Sequence, residues 1–79
     1  MPRLKVLSSD KITKILKTFD FEIVNQKGSH IKFARITSFE KQILTIPNHQ
    51  TLAKGTIKAI FNQLSRFVPQ EKLAKHFYN

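Results

Sequence analysis

Gly28, Ser29 and His30 head a stretch of the chain in which apolar and polar residues alternate, Ile31 and Phe33 against His30 and Lys32. An imidazole titrates near neutral pH, so one held at a fixed place on a strand is suited to move a proton. Lys27 and Lys32 flank it, and Lys32 shares its face two residues on. In metal-free RNA cleavage a base removes the proton of a 2′-OH. The freed oxygen attacks the adjacent phosphate in line, and cations stabilise the charge that develops. His30, Lys32 and Lys27 have that composition. The plainer alternative is a strand histidine that only touches phosphate or sugar. Ser29 either helps to bind phosphate or serves the turn alone.

The other ionisable residues offer less. His49 follows Pro47-Asn48 ahead of a helical stretch. It is either a loop residue bonded to local backbone or a phosphate or base contact near a helix N-terminus. His76, near the end of the last helical stretch, suits the dipole there and reads as a surface residue. Lys54 and Lys58 lie four apart near the start of a helical stretch and are candidate phosphate contacts. The five acids, Asp10, Asp20, Glu22, Glu40 and Glu71, are scattered, with Asp20 and Glu22 nearest. That leaves no carboxylate pair for acid–base work and no two-metal site. There is no cysteine, so no disulfide and no thiolate metal site. No His-x-x-x-His pattern or phosphate-binding glycine loop occurs. No metal and no cofactor is expected.

The balance of charge points the same way. Fourteen Lys and Arg against five Asp and Glu give a formal net charge of +9 on 79 residues. At this size such an excess suggests a polyanion partner, nucleic acid first. An apolar content of 41% with seven Phe is enough for one core and argues against disorder. No N-terminal run resembles a signal peptide and no stretch approaches a membrane span. The expectation is a soluble, cytoplasmic protein with no membrane partner.

These residues need elements to hold them. Residues 1–7 read as a short basic lead-in. Ser8 and Ser9 are N-cap candidates, and Ile12, Ile15, Leu16 and Phe19 form one helical face over residues 9–18. Lys11, Lys14 and Lys17 lie off that face. Residues 21–26 read as a first strand with Phe21 and Ile23 alternating against Glu22. Gln26-Lys27-Gly28 reads as the turn. A second strand runs from Ser29 to about Ile36. A third covers 42–46 with Leu44 and Ile46 inward, stopped by Pro47. Ile57, Ile60, Phe61 and Leu64 give a second helix over 54–67, and Pro69 opens a short terminal helix bearing Leu73 and Phe77. The expected fold is α+β in the order α-β-β-β-α: a three-stranded antiparallel sheet with two helices on one face, plus a short C-terminal helix. This is the layout of a double-stranded-RNA-binding domain. One domain spans 1–79, with its core over about 8–66 and a helical tail over about 69–77.

Gly28-Ser29-His30-Ile31-Lys32-Phe33 resembles the glycine-serine-histidine signature of HicA-type toxins. Ile46-Pro47-Asn48-His49, then Lys54-Gly55-Thr56-Ile57 and Ile60, resemble that family's second half. The resemblance runs from about Ser8 to Leu64 in the same element order. It departs after Leu64, where this chain has Ser65-Arg66-Phe67-Val68-Pro69 in place of a short glycine-containing turn. The resemblance implies an mRNA-cleaving toxin of a type II toxin–antitoxin pair with a double-stranded-RNA-binding-like fold. It implies that the catalytic histidine falls on His30, and that a HicB-type antitoxin inhibits by covering it. On this reading Lys27, Gly28, Ser29, Lys32, His49, Lys54 and Lys58 contact RNA. Two competing readings remain: a non-catalytic RNA-binding module of the same fold, and a ribosome-associated basic protein.

Overall fold

The computed structural model describes residues 3–79; of the lead-in over 1–7, Met1 and Pro2 lie outside the described residues. The element order is α1 (Ser9–Thr18), β1 (Glu22–Lys27), β2 (His30–Ile36), β3 (Lys41–Pro47), α2 (Lys54–Leu64) and α3 (Gln70–Phe77). The three strands form one antiparallel sheet in the order β1-β2-β3. The expected fold class and order of elements stand.

Helix α1 begins where Ser8, in extended conformation, accepts the Lys11 N–H on its Oγ at 3.2 Å. Asp10 in the first turn and Lys17 in the last complement the dipole. Ser9, the other N-cap candidate, is inside the helix and buried. The helix ends without a glycine. Asp20 takes the left-handed conformation at φ 70°. Phe21 N–H reaches back to Leu16 O at 3.0 Å and Asp20 N–H to Lys17 O at 3.1 Å. That pair of bonds is a Schellman motif, and the buried Phe21 and Leu16 supply its usual apolar contact. Asp20 is therefore a helix-ending residue and no partner to Glu22 in acid–base work.

Strand β1 starts one residue later than the sequence suggests. Phe21 is fully buried, and Ile23, paired with Phe33, shares the helix side as expected but is 43% exposed on this edge strand. The register shifts between Ile23 and Asn25, leaving Val24 as an extra, unpaired residue. Such a bulge twists an edge strand away from further pairing, and all of β1 is exposed. Lys27 pairs with His30, so the turn is Gly28-Ser29, one residue beyond the expected Gln26-Lys27-Gly28. Only Gly28 has positive φ there, 59°, the pattern of a type II′ hairpin.

On the helix-facing side, β2 and β3 contribute Ile31, Phe33, Gln42, Leu44 and Ile46, all buried. Ile31, Phe33, Leu44 and Ile46 pack with Leu16 of α1, Ile57 and Leu64 of α2, and Leu73 and Phe77 of α3 in one core. Each fully buried side chain of this size contributes about 1.5–3 kcal/mol. Strand β3 extends one residue beyond the expected span at each end, to Lys41 and Pro47. Helix α2 stops at Leu64, short of the expected Phe67, and Ser65–Phe67 form a turn into α3. Pro69 is the N-cap of α3 and so precedes its first helical residue.

By the same alternation Arg35 points toward the helices. Its Nε donates to Gln42 Oε1 at 2.8 Å, Nη1 to Phe19 O at 3.1 Å and Nη2 to Phe67 O at 2.9 Å. The guanidinium also lies over the Phe21 ring at 4.9 Å. Gln42 is held in turn by donating Nε2 to Glu40 Oε2 at 2.8 Å. One cation thus satisfies two carbonyls at the ends of α1 and of the α2–α3 turn. Sequence reading passed over this residue.

The two ends of the described chain pair with each other. Lys5 N–H donates to Phe77 O at 2.7 Å, Asn79 N–H to Arg3 O at 2.8 Å, and Leu4 bridges Tyr78 in antiparallel fashion. Leu52 N–H donates to Leu7 O at 3.0 Å, which fixes the same arm to the β3–α2 loop.

Candidate functional site

His30 is the first residue of the central strand, immediately after the hairpin turn. Its Cα partners are Lys27 on β1 and Pro47 on β3. Ile31 and Phe33 bury themselves under the helices, so His30 and Lys32 stand on the open face, both exposed. Asn25, exposed, pairs with Lys32 on that face, and Thr45 pairs with it from the other side. The imidazole is presented to solvent on a rigid strand with an amine on either side of it.

Three segments are tied together behind that histidine. Asn48 N–H donates to Ser29 O, at 2.6 Å. Ser9 Oγ donates to Asn48 Oδ1 at 3.0 Å, and Ser9 N–H donates to His49 O at 3.0 Å. The hairpin turn, the β3–α2 loop and the first residue of α1 are thereby fixed to one another. This explains why Ser9 is buried rather than capping its helix. The sequence offers Ser9 only as an N-cap candidate and gives Asn48 no role of its own. The signal available was a second serine beside the N-cap, which a cap alone does not need.

The structure brings Lys27, Gly28, Ser29, His30, Lys32 and the His49 loop to one end of the sheet. The His49 side chain is exposed; its carbonyl is the bonded group, in keeping with a loop residue anchored through backbone. Ser29 likewise contributes its carbonyl to the framework. Lys54 sits elsewhere: it lines a concavity with Arg3, Leu4, Val6 and Asn79. Lys58 is exposed one turn further along α2. His76 is half-buried rather than a free surface residue, with its ring edge-on to Phe19 at 5.4 Å between centroids. Burial, then Lys75 and Lys5 nearby, hold its pKa below the usual histidine value.

Among the described residues, no three His, Asp or Glu side chains are grouped closely enough to hold a metal ion. None of the described helices is long and apolar enough to cross a membrane.

The arrangement can therefore bind an anionic chain along the Lys27–Lys32 edge and present it to one imidazole. A family model described as the HicA toxin of bacterial toxin–antitoxin systems matches residues 9–65, from the first residue of α1 to just past α2. No curated protein and no solved structure matches the chain.

Proposed function

Because the chain belongs to the HicA toxin family, we propose that it is a metal-independent endoribonuclease that cuts mRNA with His30 as its proton-transferring residue. Family membership supports a toxin with an RNA-binding role, and nuclease activity is typical of such toxins. The observation that supports the finer reading is the placement of His30. It is exposed on the central strand, beside Lys27 in register and Lys32 two residues on, with its turn fixed by the Asn48–Ser29 hydrogen bond.

In this mechanism the His30 imidazole takes the 2′-OH proton. The 2′ oxygen attacks the adjacent phosphorus and the P–O5′ bond breaks; the departing 5′ oxygen takes a proton from solvent water while the imidazolium returns its proton to solvent, leaving a 2′,3′-cyclic phosphate and a 5′-OH on the released strand. Lys32 and Lys27 stabilise the extra negative charge on the phosphorane oxygens. Ser29, Gly28 and His49 border the phosphate being cut, and Lys58 meets the RNA further along.

HicA toxins pair with HicB antitoxins at the family level. We extend this to occlusion of His30. The open sheet face offers such a partner both charge and apolar grip, since Ile36 is 80% and Ile43 is 43% exposed on the face that carries His30 and Lys32. An acidic surface on the partner is expected over the lysines.

The test is cleavage of a defined RNA. His30→Ala is expected to lose about 10²–10⁴-fold in rate and to relieve growth inhibition. The parent protein is expected to work in excess EDTA and to leave a cyclic phosphate. RNA with 2′-deoxy at the cut site is expected to resist. Full activity of a folded His30→Ala protein, or a strict need for Mg²⁺, overturns the mechanism. Undiminished RNA binding with no cleavage by the parent favours the non-catalytic module.

A further inference from the structure

The arm before α1 and the helix α3 both fall outside the matched residues 9–65, yet the arm is joined to the end of α3 and the residues after it by two backbone hydrogen bonds, which make the Leu4–Tyr78 bridge. The two segments form one composite element beside the matched residues. Its effect on the surface is specific. Between the arm, α1 and α3 lies a concavity of about 470 Å³ lined by Lys5, Lys11, Lys14 and His76 together with Val6, Leu7, Ile15 and Asn79. Across the arm, Arg3 and Lys54 line a second concavity, which shares Val6 and Asn79 with the first. Neither lining includes an acidic residue.

Lys5 is held in place, because its Nζ donates to the Lys75 carbonyl at 3.2 Å. Lys11 and Lys14 are three apart on the exposed side of α1, so they project in neighbouring directions. Clustering cations without counter-charges costs repulsion in the free protein, and a bound polyanion relieves it. The lysine stripe of α1 also starts two residues after Ser9, which is tied to the Asn48–His49 loop and through it to the turn that precedes His30. The basic track and the candidate site thus share a framework.

We propose that the paired termini build an accessory site for the phosphodiester backbone of RNA, with Lys5, Lys11, Lys14 and Arg3 as its principal phosphate contacts. The site holds RNA flanking the segment that lies at His30. Lys54 belongs to this track rather than to the cleavage end. The proposal rests on the RNA-directed reading of the protein but not on His30 being catalytic.

The test measures binding, in a His30→Ala background, of a fluorescein-labelled 30-nucleotide single-stranded RNA over a range of KCl concentrations. Lys5→Gln/Lys11→Gln/Lys14→Gln keeps most of the aliphatic stems and removes three charges. It is expected to weaken binding about tenfold or more at low salt and to flatten the log–log salt slope by about 2. Lys41→Gln/Arg66→Gln/Lys72→Gln removes the same net charge elsewhere and is expected to leave the slope nearly unchanged. Lys11→Gln/Lys14→Gln alters only exposed positions on α1, leaves the arm intact, and is expected to give an intermediate slope. An unchanged slope in the Lys5/Lys11/Lys14 variant, or an equal change in both triple variants, overturns the proposal. So does a variant whose only loss is affinity for an acidic antitoxin. If instead His30→Ala itself cleaves RNA normally, the catalytic assignment fails while this site stands or falls on its own slope.

Discussion

His30 and Arg35 are two basic residues five apart on the same strand, and the odd spacing sends them to opposite faces of the sheet. At one end of β2 the imidazole stands exposed, beside lysines and on a turn fixed from behind. Near the other end the guanidinium is spent on structure, with three hydrogen bonds and an aromatic ring beneath it. The difference shows how a small domain divides its basic side chains. One is left unengaged on a rigid base so that a substrate can use it, and another closes carbonyls that the ends of two helical segments leave open. Charge and strand position alone do not separate these roles; the parity of the strand and the location of nearby carbonyls do.

The comparison breaks most visibly in stability. Arg35→Ala leaves Phe19 O and Phe67 O without their donor and Gln42 without its acceptor role. Hydrogen bonds to a charged group contribute about 1.5–3 kcal/mol each, and part of that loss is recovered by water, so roughly 3 kcal/mol is expected. In a domain of this size that lowers the melting temperature by about 12–24 °C. His30→Ala, on the open face, is expected to stay within about 0.5 kcal/mol of the parent in urea unfolding. Equal destabilisation by the two would show that His30 has a packing role and that its loss of activity says nothing about chemistry.

The two left-handed residues sharpen the contrast between the functional end and the helix layer. Gly28, at φ 59°, carries the turn before His30 in open space, so Gly28→Ala meets no neighbour and is strained only in its backbone. A cost of about 1 kcal/mol is expected. Asp20, at φ 70°, occupies a position that glycine fills more easily. Asp20→Gly is expected to stabilise by up to about 1 kcal/mol, read as a rise in the urea midpoint at unchanged slope. A loss of stability there would mean that the Asp20 side chain has a role that the backbone geometry does not require.

The same parts divide what was legible in the sequence from what was not. Helix faces with apolar residues three and four apart were plain, because a core of this size leaves such a face nowhere else to go. The order of elements and the family followed from them and from the Gly28–Phe33 and Ile46–Ile60 blocks. The hairpin register was read one residue early because Lys27 is a polar residue beside a glycine, and only cross-strand pairing shows that it belongs to the strand. Ile23 shares the core-facing side with its partner Phe33 but lies on an edge strand, so alternation gives its face and not its burial. Ser9, Asn48 and Arg35 act through carbonyls and amides far away in sequence, which no local pattern encodes. Lys54, expected as an RNA contact, lies beside the arm, a place no local pattern encodes because the pairing of the arm with residues 77–79 is itself a long-range event.

The smallest expected effect concerns a histidine of the helix layer, His76, which packs on Phe19 near Lys5 and Lys75. Burial first, and then those two lysines, depress its pKa in the folded chain below the ordinary histidine value of 6.5. Between the depressed value and 6.5 the unfolded chain binds more protons than the folded one, so stability rises with pH in that window. The contribution is complete above about pH 6.5 and is lost as pH falls through the folded-state pKa. His76→Gln is expected to remove that part of the slope of unfolding free energy against pH between 5 and 7, with little change at pH 8. Bound RNA places phosphates against the same cluster and is expected to raise the His76 pKa, seen as a shift of its ring-proton titration in NMR. A His76 titration that is unmoved by RNA, while the Lys5/Lys11/Lys14 salt slope still responds, would put the phosphates along α1 rather than in the cavity beneath the arm.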